Sequence, residues 1–139
     1  MRKIFSLLFA ITLFGIFTAC SKSEEDDVET TFTLCDKTEY RKLYGSMYSY
    51  FCTATIKEYD ANGKMVRKDE LDLESKPKTI IAHKDAVKLT IRIYSKVTLG
   101  SSYAELTNHW MYEPYDLKLG ENLDIVYDDN TVFSSKEPK

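Results

Sequence analysis

Apolar and polar residues alternate most regularly between Val87 and Val97, where Val87, Leu89, Ile91, Ile93 and Val97 share one parity and Lys88, Thr90, Arg92 and Lys96 the other. A period of two over that length predicts a half-buried β-strand, because successive side chains of an extended chain point to opposite faces. A second run, Tyr48 to Glu58, places Tyr48, Tyr50, Cys52, Ala54 and Ile56 on one face and Ser49, Thr53, Thr55 and Lys57 on the other. It too predicts a strand. Asp60-Ala61-Asn62-Gly63 follows, and Asn-Gly between alternating segments predicts a hairpin in which both residues take positive φ. The return strand, Lys64 to Leu73, carries Arg67, Lys68, Asp69 and Glu70, charges expected of an edge or highly exposed strand.

Shorter segments repeat the pattern. Pro77 closes the return strand, Thr79 to Ala82 predicts a short strand, and Ser101-Ser102 turns into Tyr103 to Tyr112. Tyr115 to Leu119 and Leu123 to Tyr127 flank Gly120-Glu121-Asn122, and Asp128-Asp129-Asn130 turns into Thr131-Val132-Phe133. Only Thr38 to Met47 offers a turn or two of helix. Strands at short, regular spacing with turn residues between them predict an all-β fold, a small antiparallel two-sheet sandwich. The spacing Leu117-x-x-Gly120-x-x-Leu123 at a strand corner resembles the corner of immunoglobulin-like and fibronectin-III-like sandwiches, with Leu123 where those folds often carry a tyrosine.

The first residues have a different character. Arg2 and Lys3 precede a nearly continuous apolar run from Ile4 to Phe17, too short for the about 20 residues of a membrane helix and followed at once by Ser21, Lys22, Ser23 and Glu24. Phe17-Thr18-Ala19-Cys20 resembles a bacterial lipobox, with Phe17 where Leu is usual. The resemblance implies cleavage before Cys20 and diacylation of its thiol. The run Ser21 to Asp27, with Lys22, Glu24, Glu25, Asp26 and Asp27, has nothing apolar to bury and reads as a solvated tether. It resembles the acidic export signal of surface-exposed lipoproteins of the Bacteroidetes group, which implies an outer-membrane anchor and a domain facing the cell exterior. The expected organisation is therefore a signal peptide over 1–19, a lipidated cysteine and tether over 20–30, and a sandwich domain over 31–139.

Cleavage alters the composition. It takes 19 of 139 residues and leaves 120; removing Arg2 and Lys3 from 19 basic residues leaves 17 against 22 acidic, a net charge of -5. Such a chain does not attract nucleic acid by bulk charge. Four of the seven Phe also leave, so the domain depends on Ile, Val, Leu and its ten Tyr.

With Cys20 acylated, Cys35 and Cys52 are the thiols left to pair in an oxidising compartment, where a bridge would contribute about 3 kcal/mol. The alternation opposes it: Phe32 and Leu34 direct Cys35 outward, whereas Cys52 shares a face with Ala54 and Ile56. A strand end or bulge at Cys35 would reconcile the two; otherwise they remain separate thiols.

Catalytic and metal signatures are absent from the sequence. His83 and His109 lack ligand partners at metal-binding spacing, and His109 is expected on a solvated face opposite Trp110. Asp60, Asp128 and Asp129 each stand beside Asn or Gly in a predicted turn, where a carboxylate caps its own backbone rather than working as one of a glycosidase pair. Asp60-x-Asn62-Gly63 lacks the downstream Glu of a calcium loop. No cofactor or metal is expected, and an enzyme is the third choice among function classes. The aromatics point elsewhere. Trp110, in phase with Ala104 and Leu106, is expected in the core, while Tyr40, Tyr44, Tyr112 and Tyr115 are candidates for an exposed contact surface. The expectation is a non-catalytic envelope lipoprotein that binds or scaffolds, its partner an envelope protein or a glycan.

Overall fold

The computed structural model describes residues 28–44 and 49–139. The secretory segment, Cys20, Lys22, Glu24, Glu25, Asp26 and Asp27 lie outside the described residues, as do Met47 and Tyr48. The described residues form a two-sheet all-β sandwich. In chain order the elements are β1 (Thr31–Asp36), α1 (Glu39–Tyr44), β2 (Ser49–Tyr59), β3 (Met65–Asp72), β4 (Lys78–Ile81), β5 (Lys88–Leu99), β6 (Ser102–Met111), β7 (Tyr115–Asp116), β8 (Asn122–Tyr127) and β9 (Phe133–Ser134). One sheet runs β4-β1-β8, the other β3-β2-β5-β6-β9, with β7 also on β5.

The larger sheet is organised around β5, the segment with the clearest alternation. Leu89, Ile91, Ile93 and Val97 are buried, and antiparallel pairing sets Ala54 opposite Ile93 and Ile56 opposite Ile91. Phe32, Leu34, Ile125 and Tyr127 of the smaller sheet close the same core. Full burial of each aliphatic side chain contributes roughly 1.5–3 kcal/mol. In the smaller sheet β1 is antiparallel to β4 and parallel to β8. This parallel pair arises because β1 and β8, far apart in the chain, enter the sheet from the same end. Strands β5 and β6 are neighbours in one sheet, whereas the immunoglobulin order separates the fifth strand from the sixth.

The β2–β3 turn differs from expectation in detail. Only Gly63 has positive φ there, at 79°. The Asp60 carboxylate accepts the backbone N–H of Asn62 and of Lys64, each at 2.9 Å, and the Gly63 N–H donates to the Asp60 carbonyl. This is a type I turn closed by a left-handed glycine; a separate shift follows in the ladder, where Glu58 pairs with Arg67 but Tyr59 with Met65, leaving Val66 as the added residue. Strand β3 is an exposed edge, as its charges require.

Strand β6 corrects the expectation for Trp110. Ser95 pairs with Thr107 but Lys96 with Glu105, so Leu106 is an added residue and every side chain beyond it changes face. Trp110 therefore lies beside Arg92 on the outer face, and Met111, 1% exposed, takes the core position. His109 is exposed and its ring lies 6.4 Å from that of Phe133.

Candidate functional site

The outer face of the larger sheet receives the second parity of β2 and β5. Register sets Phe51 opposite Lys96 and Thr98 opposite Tyr103. The Lys96 ammonium consequently lies 5.6 Å from the Phe51 ring centroid and 5.4 Å from that of Tyr103. Both rings face solvent, Phe51 at 51% and Tyr103 at 65% exposure. Further along the face the Lys57 ammonium stands 4.9 Å over the Trp110 ring, with the Arg92 guanidinium at 6.0 Å. Cations over ring faces are attracted by the ring quadrupole and hold the rings in place.

Beside Trp110 the segment after β9 crosses this face. Glu137 accepts hydrogen bonds from Lys57 Nζ at 2.9 Å, from Thr90 Oγ1 at 2.9 Å and from the Tyr59 hydroxyl. Thr90 is on the polar parity of β5 yet 1% exposed, because this segment covers it. Burial alone would raise the Glu137 carboxyl, but the bonds from Lys57, Tyr59 and Thr90 outweigh it and hold the group below its ordinary value. Burial, then the hydrogen bond and charge of Glu137, push the Tyr59 phenol up to about 12. A cleft of about 700 Å³ opens alongside, lined by Tyr59, Asn62, Val87, Lys88 and Pro138 among others.

The four tyrosines expected at a contact surface do not form one. Tyr40 and Tyr44 stack at 6.0 Å on α1, against a shallow hollow that includes Val97, Leu99 and Ala104. Tyr112 is exposed but follows the far end of β6, roughly 25 Å away at the rise of a strand. Tyr115 is a correction: its hydroxyl turns toward Met111 Sδ at 3.5 Å and burial, followed by the Glu113 charge, raises its pKa. It pairs with Leu89 and packs on the core.

The disulfide is also corrected. Cys35 and Cys52 are both buried free thiols. Asp36, next to Cys35, is the residue of β1 that meets Tyr50 of β2, two positions from Cys52; side chains alternate, so Cys35 points the other way. Burial, then the Asp36 charge, push the Cys52 thiol up to about 12.

Two buried carboxylates escaped the sequence reading. Asp36, fully buried, accepts from Thr38 Oγ1 at 2.6 Å, Tyr50 OH at 2.9 Å and Arg41 Nε at 3.3 Å. Thr38 in turn caps α1, accepting the Arg41 N–H, and Asp129 accepts the Glu39 N–H. Glu58, 1% exposed, accepts from Arg67 and from the His83 N–H at 2.8 Å. Parity could have shown Glu58, which continues the Tyr50-Cys52-Ala54-Ile56 face. Both carboxylates are sealed by their partners and position backbone. Asp60 and Asp128 cap their own turns, Asp128 Oδ1 accepting the Asn130 N–H at 2.9 Å. His83 Nδ1 accepts the Asp85 N–H. Among the described residues no group of three or more His, Cys, Asp or Glu is placed to hold a metal ion.

Comparison with known proteins finds no matching family, no matching curated relative and no matching solved structure.

Proposed function

We propose that this chain is a non-catalytic contact module of the bacterial envelope, anchored on the outer membrane through a lipidated Cys20 and turned to the cell exterior by its acidic tether. The observation that supports the contact role is the ring–cation–ring arrangement of Phe51, Lys96 and Tyr103. Large rings left in water, yet held in one orientation, lose little entropy on binding, which suits a protein-contact surface. The buried carboxylates Asp36 and Glu58 face hydrogen-bond partners rather than a cleft, which favours binding over hydrolysis.

The test combines crosslinking on intact cells with substitution. Photo-crosslinkers beside Phe51 should capture a defined envelope protein, and Phe51→Ala with Tyr103→Ala should reduce capture at least tenfold, at roughly 1–2 kcal/mol per ring. Equal capture by both forms would remove the surface from consideration. Cys20→Ser should abolish lipidation, and protease added to intact cells should remove the domain. A second reading, a glycan-binding accessory, is favoured by the two exposed rings alone; retention of wild type on a polysaccharide panel, lost in the double variant, would select it.

A further inference from the structure

The outer face holds a carboxylate in a cradle built from two strands. Register fixes Lys57 opposite Thr90 and Tyr59 opposite Lys88, so the three donors Lys57 Nζ, Tyr59 OH and Thr90 Oγ1 converge without loop rearrangement. Both oxygens of Glu137 are taken: Oε2 by Lys57, Oε1 by Tyr59 and Thr90. Ser134 pairs with Trp110 as the segment enters the face, the chain then bends at Ser135 and Lys136, and Pro138 disfavours the helical region for Glu137 before it. The cleft of about 700 Å³ beside Glu137 runs toward Asn62 and Lys88 and leaves room for residues flanking such a glutamate.

We propose that Lys57, Tyr59 and Thr90 form a receptor site for a glutamate side chain carried on a peptide segment of a protein partner, with Glu137 as its internal competitor. This rests on the reading of the chain as a protein-contact module. A tethered competitor acts at an effective concentration in the millimolar range, so an incoming peptide binds only the fraction of molecules in which the cradle is open. Removing the Glu137 carboxylate raises that fraction to one. The chemistry distinguishes peptide from sugar by what is already seated: a glutamate side chain of a peptide segment, its carboxylate held by Lys57, Tyr59 and Thr90.

Trp110 is the single tryptophan and has Lys57 4.9 Å over its ring, so its fluorescence reports on the cradle. Full-length wild type and Glu137→Ala chains would be titrated with a synthetic peptide of residues 132–139 and with the same peptide carrying Gln in place of Glu137. Glu137→Ala should bind the glutamate peptide saturably and on the order of tenfold more tightly than wild type. The Gln peptide should fail, as should the glutamate peptide on a chain that also carries Lys57→Ala. Equal binding by wild type and Glu137→Ala, or equal binding of both peptides, overturns the proposal. Tighter binding of an oligogalacturonate than of the peptide overturns the peptide class. Glu137→Gln and Tyr59→Phe, with circular dichroism to establish folding, replace any variant that does not fold. Crosslinking at Phe51 is read separately, so loss of the cradle and loss of the contact role are distinguishable.

Discussion

The Tyr50 hydroxyl donates to Asp36 Oδ2 at 2.9 Å, fastening the larger sheet to the smaller through a fully buried carboxylate. Arg41 reaches the same carboxylate, lies 4.5 Å over the Tyr50 ring and donates to the Leu73 carbonyl. Tyr50→Phe removes one bond and leaves Asp36 with Thr38 and Arg41, a loss of about 1 kcal/mol. Asp36→Ala strands the Thr38 N–H, the Thr38 and Tyr50 hydroxyls and the Arg41 cation, a loss of about 3–5 kcal/mol. Urea denaturation should separate the two; equal midpoints would show that the carboxylate is not the hub.

Glu58 and Arg67 make the complementary case. Arg67→Ala leaves a buried carboxylate with only the His83 N–H, at a cost of about 3 kcal/mol. The Lys42–Glu39 pair is exposed on both sides, where solvent screens it, and Lys42→Ala should leave the unfolding midpoint unchanged. Similar losses for both would contradict the assignment of burial as the deciding factor.

The thiols give a pH-dependent prediction. The Cys52 thiol ionises near 9 when exposed and at about 12 in the fold, so its contribution to stability is complete below pH 9 and is lost as pH rises toward 12. A thiol reagent at pH 8 should leave native Cys35 and Cys52 unmodified. In denaturant, a chain with Cys20→Ser should titrate two thiols; none would reveal a bridge.

Gly63 has φ of 79° with nothing within 4 Å of where a Cβ would stand, so the strain of Gly63→Ala is purely conformational, about 1–2 kcal/mol. Gly63→Asn should cost less, because a short polar side chain tolerates that region. Thermal unfolding of both variants checks the order.

Parity made the strands legible: β2 and β5 alternate because one face meets apolar neighbours and the other meets water, and Asp60 to Gly63 signalled the hairpin through its turn residues. The expectation for Trp110 failed at a single added residue, Leu106, whose insertion changes the phase of every later position in the strand and leaves no compositional mark. Alternation did place Cys35 away from Cys52, but it did not show that Cys35 is buried. Its burial depends on what covers β1, which its own alternation does not encode.

The division between the two kinds of information comes from range. Alternation, turn chemistry and the charge of an edge strand are properties of residues a few positions apart, so the linear order carries them, and with them the all-β fold. Lys57, Thr90 and Glu137 are separated by dozens of residues, and Asp36 meets Tyr50 only across the two sheets. Which carboxylate meets which cation depends on sheet register and on how the segment after β9 returns across the face, and those are settled only when the two sheets close on a common core.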